Sequence, residues 1–297
     1  MIPAFNHEKF VGDCLASALA DPYPNKELII IDDGSVDRTP DIIEAWAEMH
    51  RSVIRVDYLR RPNRGIAATL NELAARANGD FLRLGASDDC FMAGGLQAQV
   101  EYLLDHPDKL AVIGDCTVVD ATGDRLHDSA MVDLYRVDKA AYASDSGIRR
   151  QIISRWAISG PSTMIRREAL SEAGEWSEDL RIDDWSFFLR LAALDRLGFI
   201  DAKVGAYRIH DDNTSRTRNV ARRIANLSDA IKTARRHLPL FGRSDQALLA
   251  AQSNLIAAKI SFLERRPVSL VASMIRFMLL SARAHMHARI DRWGKRP

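Results

Sequence analysis

The chain has 297 residues, of which 47% are hydrophobic and 27% charged, enough to bury a full core as one large domain or two modest ones. Lysine and arginine total 41 against 40 acidic residues, and a net charge of +1 excludes a global drive toward nucleic acid or any other polyanion. Three widely spaced cysteines, Cys14, Cys90 and Cys116, exclude a disulfide framework and a Cys-rich zinc site, and they point to a reducing, cytoplasmic compartment.

Met1 to Phe10 carries no basic region, apolar run or cleavage site, so the mature protein is expected to begin there. Lys9 to Leu19 places Phe10, Cys14, Leu15, Ala18 and Leu19 at helical spacing. Glu27 to Ile31 is a short β-branched run that stops at Asp32-Asp33-Gly34-Ser35, the pattern of a buried parallel strand. Pro40 to His50 predicts a second helix, Val53 to Leu59 a strand, and Gly65 to Asn78 a helix rich in alanine and leucine. Asp80 to Leu84 predicts a strand running into Ser87-Asp88-Asp89, followed by a helix over Leu96 to Asp105 and a strand over Leu110 to Val119. Beyond the turn at Thr122-Gly123-Asp124 the pattern is irregular to about Ser146, and a helix ends near Trp156. An irregular stretch of this length predicts a functional loop. No strand pattern follows Tyr207 to Ile209. From Val220 onward only helices are predicted, separated by Pro239 and Pro267. A boundary is expected near Arg218, dividing residues 1–218 from a helical region over 219–297.

Strands alternating with helices imply a parallel sheet covered on both faces, with ligands bound beyond the carboxyl ends of its strands. Asp32-Asp33 and Asp88-Asp89 both fall on that edge. Paired aspartates there can hold a divalent cation or hydrogen-bond a ribose or base. Any single pair could equally be a turn former or a helix cap. Asp183-Asp184 precedes the apolar helix Trp185 to Leu191, and capping alone would account for it.

Ile2-Pro3-Ala4-Phe5-Asn6, Asp32-Asp33-Gly34-Ser35, Ser87-Asp88-Asp89 and Asp183-Asp184-Trp185 stand in the order seen in family 2 glycosyltransferases. Ile158 to Glu168 and Tyr207-Arg208-Ile209-His210 strengthen the match. The chain resembles that family over about its first two-thirds. The resemblance implies an inverting enzyme of the GT-A fold, with a mainly parallel mixed sheet flanked by helices and a C-terminal helical extension. It would transfer a sugar from a nucleoside diphosphate sugar, a UDP-sugar by expectation, to a hydroxyl of a saccharide or lipid-linked saccharide in bacterial surface glycan synthesis. By the same resemblance, Pro3, Ala4 and Phe5 would hold the base, with Phe5 against the ring and Asp33 accepting a base hydrogen. Phe5 could instead be a core residue at a strand end. Asp88 and Asp89 would supply the ribose and metal carboxylates for Mg²⁺ or Mn²⁺, and Asp184 would be the catalytic base. His210 would join the metal or the diphosphate, unless it is simply solvated. Arg208, Arg216 and Arg218 could screen phosphate oxygens or be plain surface charge.

Several positions depart from the family pattern. The apolar lead-in usual to the first strand does not precede Met1-Ile2, so either the true start lies upstream or the enzyme tolerates a stub strand; Ala86 stands where an aspartate often opens the second acidic motif, and Leu70 replaces a common arginine before Asn71. These changes motivate a non-catalytic scaffold as an alternative, opposed by the intact Asp33, Asp89 and Asp184. A nucleotidyltransferase is a second alternative, but no Gly-rich phosphate loop follows the first strand.

The apolar stretch Val268 to Ala282 is broken by Arg276 and falls short of the roughly 20 residues a membrane span needs, so it is expected not to cross a bilayer. The tail carries Arg222, Arg223, Arg235, Arg236, Arg265, Arg266, Arg276, Arg283, Arg289 and Arg292. Val271, Met274, Ile275, Met278 and Leu279 form one stripe on its last helix. Such a helix can lie on the anionic inner face of the cell membrane. The favoured expectation is packing against the catalytic domain or a second subunit.

Overall fold

The computed structural model describes residues 1–180, 184–211, 213 and 219–293. The first half builds three parallel strands, β1 (Ile2–Ala4), β2 (Glu27–Asp32) and β3 (Arg55–Arg60), in the order β1-β2-β3. Helices α1 (Val11–Ala20), α2 (Thr39–His50) and α3 (Ile66–Arg76) connect them and lead onward. Leu28 to Ile31 are buried along β2, as expected of a strand covered on both faces.

The second half places β4 (Phe81–Arg83), β5 (Cys90–Phe91), β6 (Ala111–Val119), β7 (Arg125–His127), β8 (Thr163–Arg166) and β9 (Leu197–Arg208) in the order β4-β8-β6-β9-β5, with β7 on β6. β6 and β9 are parallel, while β8 runs antiparallel to both β4 and β6. The Met1 nitrogen donates to the Arg83 carbonyl at 2.9 Å and the Gly85 N–H donates to the Met1 carbonyl at 3.1 Å. These two bonds form a parallel bridge that joins the halves into one sheet. The short β1 is therefore held on both sides. Following strand directions across the sheet, β1, β2, β4 and β9 all point their carboxyl ends to the same edge.

β9 extends over twelve residues rather than the Tyr207 to Ile209 of the sequence pattern, and β8 lies inside the segment read only as a motif. The stretch after Gly123 is ordered locally, with a π-helical turn at Ala130–Leu134 and a 3₁₀ turn at Lys139–Tyr142. Asp115, fully buried on β6, pins it by accepting from the Ser129 hydroxyl at 2.6 Å and from Lys139 at 2.7 Å. These donors, with Lys203, outweigh the effect of burial and hold the Asp115 carboxyl below its ordinary range.

The remaining helices are α4 (Gly95–Asp105), α5 (Asp145–Ser154), α6 (Ala169–Glu172), α7 (Asp184–Ala193), α8 (Val220–His237), α9 (Arg243–Leu263) and α10 (Pro267–Trp293). Asn219 caps α8 by accepting the Arg222 N–H at 3.0 Å. The tail is docked: Arg149 of α5 pairs with Asp245 of α9 at 2.7 Å, and Lys232 of α8 pairs with Asp179 at 2.7 Å. α10 packs on α9 and buries Ala284.

The structure removes the length argument behind one expectation for α10 and corrects another. The helix is 27 residues long, and Pro267–Ile290 has a mean hydropathy of 1.3, so it is long and apolar enough to cross a bilayer by length and composition. Run length between charges had underestimated it. The apolar stripe also fails to pack on the catalytic domain, since Val271, Ile275, Met278 and Leu279 are 57%, 47%, 55% and 65% exposed. The less exposed face of α10 carries Met274, Phe277, Leu280 and Ser281, half-buried, with the buried Ala284.

Candidate active site

Because β1, β2, β4 and β9 end at one edge, the segments leaving them converge there. Gly34, with φ of +83°, makes the turn after β2, and a Cβ at this position would stand 2.7 Å from the Asn63 nitrogen. Only glycine lets the loop after β3 approach so closely. The turn also laces the loop after β1. The Asn6 N–H donates to the Ser35 hydroxyl and the His7 N–H to the Thr39 hydroxyl, each at 2.8 Å, while Asn6 Oδ1 accepts the Val36 N–H at 2.9 Å. This lacing sets the position of His7.

Asp33 is the clasp of the 61–65 loop. Its carboxylate accepts the Arg64 and Gly65 N–H groups at 2.9 Å each and pairs with the buried Arg61 guanidinium at 2.6 Å. A base N–H would have to share an oxygen with these donors. Ala4 is buried in the core, and its carbonyl accepts the Asp33 N–H at 2.8 Å. Phe5 is 45% exposed at the mouth of the site, which removes the core-residue alternative, and Pro3 is half-buried beside it. Asn71 brackets Trp176, accepting its N–H at 2.9 Å and donating to its carbonyl at 3.0 Å.

Asp88 sits between two imidazoles. His210 Nε2 stands 3.0 Å and His7 Nε2 3.7 Å from Asp88 Oδ2, and the three ligand atoms lie within 4.8 Å of one another. Burial pushes the Asp88 carboxyl up, but the His210 hydrogen bond and the neighbouring His7 outweigh it, so the net displacement is downward. Asp89 behaves oppositely. Burial, reinforced by the charge of Asp88, drives its carboxyl well above the ordinary range. Expected as a metal ligand, Asp89 lies outside the cluster and accepts the Arg208 N–H at 2.7 Å. This bond holds Asp89 against the end of β9, two residues before His210. Arg208 is itself buried and ties Asp88 to α1 by donating to the Asp88 carbonyl at 2.9 Å and to Asp13 at 3.0 Å, so its guanidinium is already committed.

Asp184 opens α7, and its Oδ1 accepts the Trp185 N–H at 2.8 Å. Burial raises its carboxyl above the usual aspartate value, the direction that suits a proton acceptor. No contact joins Asp184 to the cluster among the described residues. Asp183, Arg216 and Arg218 lie outside the described residues, as does the side chain of Arg292.

Sequence reasoning missed His7. The signal was its position, one residue past the Ile2 to Asn6 loop at the same strand edge as both acidic motifs. An open cleft of about 400 Å³ adjoins the Asp33 clasp, lined by Gly65, Ile66 and Glu178 with a wall from Arg222 and Asn226 of α8. A second cavity of about 430 Å³, near Tyr102, Lys139 and Tyr142, holds none of the expected site residues.

The family model of glycosyl transferase family 2 matches residues 1–174, more than half of the chain, and the chain belongs to that family. It is 29% identical over 199 residues to a poly-beta-1,6-N-acetyl-D-glucosamine synthase of Staphylococcus epidermidis, covering 66% of this chain and 45% of that protein. It is 32% identical over 104 residues to a putative teichuronic acid biosynthesis glycosyltransferase, TuaG, of Bacillus subtilis, covering 35% of this chain and 40% of that one. The chain thus spans less than half the length of these curated relatives. Among solved structures, the mannosyltransferase PcManGT of Pyrobaculum calidifontis in complex with GDP-Man and Mn²⁺ is similar at a TM-score of 0.60 and 18% identity, covering 99% of this chain and 86% of that one. S. aureus TarS 1-349 in complex with UDP-GlcNAc is similar at a TM-score of 0.58 and 14% identity, covering 96% and 90%. These likenesses show the fold, a GT-A type mixed α/β sheet.

Proposed function

We propose that this chain is a metal-dependent inverting hexosyltransferase of bacterial surface glycan assembly. It would move a sugar from a UDP-sugar to a hydroxyl of a saccharide or lipid-linked saccharide. Residues 1–218 form the catalytic domain in this reading, and 219–297 form a helical region that borders the cleft and meets the membrane. The observation that carries the reading is the convergence of His7, Asp88 and His210 on the strand edge where the family motifs also lie. Two imidazoles and a carboxylate suit a divalent ion, so the donor set fits the metal that the family implies. When bound, a divalent cation supplies positive charge against the diphosphate of the leaving nucleotide.

The chain's own residues do the rest. Phe5 offers an exposed ring for a flat base to stack on, and Pro3 shapes the same loop. Asp33 keeps the 61–65 loop in place and can share an oxygen with a base N–H. Asp184 takes the proton of the attacking hydroxyl while the anomeric carbon inverts. The similarity to proteins named for poly-N-acetylglucosamine and teichuronic acid synthesis supports a surface-glycan acceptor.

The test is nucleotide release from UDP-, GDP- and dTDP-sugars with Mn²⁺ or Mg²⁺, comparing wild type with Asp88→Ala and Asp184→Asn. Metal-dependent turnover of a UDP-sugar that Asp88→Ala abolishes supports the reading. Absence of both turnover and metal-dependent nucleotide binding with every donor would sink it in favour of a scaffold.

A further inference from the structure

We infer that His7 is the third protein ligand of the cation, and that it turns the site into a two-imidazole, one-carboxylate centre selective for a transition metal over Mg²⁺. The inference rests on the metal-dependent reading above and concerns a residue outside the two acidic motifs.

Geometry comes first. Ligand atoms about 2.1 Å from an ion stand about 3.0 Å apart at right angles and about 3.4 Å apart in a tetrahedron. The observed separations from Asp88 Oδ2, 3.0 Å to His210 Nε2 and 3.7 Å to His7 Nε2, bracket that range. All three ligand atoms lie within 4.8 Å of one another, so side-chain adjustment alone can close the set around an ion. At 3.7 Å the His7–Asp88 contact is too long for a direct hydrogen bond but within ion-pair reach of a protonated ring.

Orientation comes next. His7 Nδ1 lies 2.8 Å from the hydroxyl of the fully buried Ser87, the residue preceding Asp88. With Nδ1–H donating to that oxygen, the lone pair of His7 is on Nε2, the atom facing Asp88. This is the support that metal-bound histidines commonly receive through their other ring nitrogen. His210 is fixed by packing, since its ring lies 4.5 Å from that of Phe10, and its backbone N–H donates to Asn213 Oδ1 at 2.8 Å. His210 Nδ1 is buried without a hydrogen-bond partner among the described residues, and Nε2 is the atom that faces Asp88. The two imidazole rings meet edge to face at 5.7 Å.

Donor chemistry then sets selectivity. Mg²⁺ prefers oxygen ligands and holds its waters, whereas imidazole nitrogen favours Mn²⁺ and, more strongly, the later divalent ions. Removing one of two imidazoles should therefore weaken the transition ion far more than Mg²⁺. The rival account is that His7 merely lends charge to Asp88. That account predicts no change in metal preference.

The experiment titrates full-length protein with Mn²⁺, following free Mn²⁺ by electron paramagnetic resonance, with Mg²⁺ as competitor and with or without UDP. Co²⁺ substitution reports nitrogen ligation through its visible absorption. Wild type is expected to prefer Mn²⁺ over Mg²⁺ by about tenfold or more. His7→Ala and His7→Gln should each weaken Mn²⁺ by about tenfold and Mg²⁺ by less than about threefold, with an altered Co²⁺ spectrum and an unchanged melting temperature. Retention of Mn²⁺ affinity and of the Co²⁺ spectrum in both His7 variants, while Asp88→Ala abolishes binding, overturns the role of His7 and leaves the metal-dependent reading intact. Failure of wild type to bind Mn²⁺ with or without UDP overturns both.

Discussion

The strand-end edge and the outer face of α10 depart from ordinary burial in opposite directions. At the edge, Asp33, Asp89 and Arg208 are 5%, 3% and 2% exposed, and each is held by backbone groups or an opposite charge. On α10, Val268 and Leu279 are 82% and 65% exposed with nothing over them among the described residues. Burying polar groups costs free energy unless they are paired, and exposing apolar ones forgoes roughly 25 cal/mol per Å². The paired edge stays buried at little cost, whereas the bare face of α10 works against stability and calls for an occupant. The edge holds its polar atoms in fixed positions, while α10 leaves an apolar surface uncovered among the described residues.

Asp184, proposed as the base serving that edge, carries the largest expected effect. Asp184→Asn should lower turnover by about 10³-fold while donor affinity changes little, as measured by transfer rate and nucleotide titration. The pH dependence follows from the raised carboxyl. A base works only when ionised, so the rate should fall as pH drops through a value above the ordinary aspartate range of about 3.9. The same shift penalises folding once the group ionises, since burial disfavours the carboxylate in the folded state alone. The sign is therefore that Asp184→Asn melts no lower than wild type at pH 7. A large loss of melting temperature would make Asp184 a helix-capping residue instead.

Asp33 tests whether the edge is scaffold or contact. Asp33→Ala strands the buried Arg61 and two backbone N–H groups, and should cost about 3 kcal/mol in urea unfolding, moderated because Arg61 also meets Glu72 at 3.1 Å. Unchanged stability with lost nucleotide binding would make Asp33 a base contact only.

What the sequence could and could not disclose follows the range of the interactions. The strand ends at Asp32 and near Asp88 were legible because a β-branched or apolar run followed by acidic residues is a local pattern. So were the helices over α1 to α4, whose periodicity is equally local. β9 was largely hidden, since Leu197–Arg208 mixes glycine, aspartate and lysine on a strand whose pairing with β6 is long-range. The 125–142 stretch looked irregular because its organiser is Asp115, a distant carboxylate whose only trace was a charge inside an apolar strand. Of the candidate site, Asp88 and His210 could be named from motif order. The placement of His7 depended on a turn at Gly34 that brings together loops some thirty residues apart. The exposed face of α10 was misjudged because periodicity marks an apolar stripe without indicating what covers it.

α10 gives the smallest effect and the sharpest contrast with the edge. Pro267–Ile290 contains Arg276, Arg283 and Arg289, with His285 and His287, and no carboxylate. Two copies packed face to face would bring like charges together, whereas an anionic bilayer would attract the arginines and take up the apolar side chains. Sedimentation with vesicles should therefore show binding to phosphatidylglycerol-containing membranes, little binding to pure phosphatidylcholine, and weakening with salt. Leu279→Glu should reduce that binding by about tenfold, the equivalent of about 1.4 kcal/mol for withdrawing one partly inserted leucine. Because Leu279 is already exposed, its unfolding free energy should stay within about 0.5 kcal/mol of wild type. A soluble dimer that ignores vesicles and is split by Leu279→Glu would assign the face to a second copy. Transfer to a soluble acceptor should be unchanged in this variant, because Leu279 lies outside the site proposed at the strand edge.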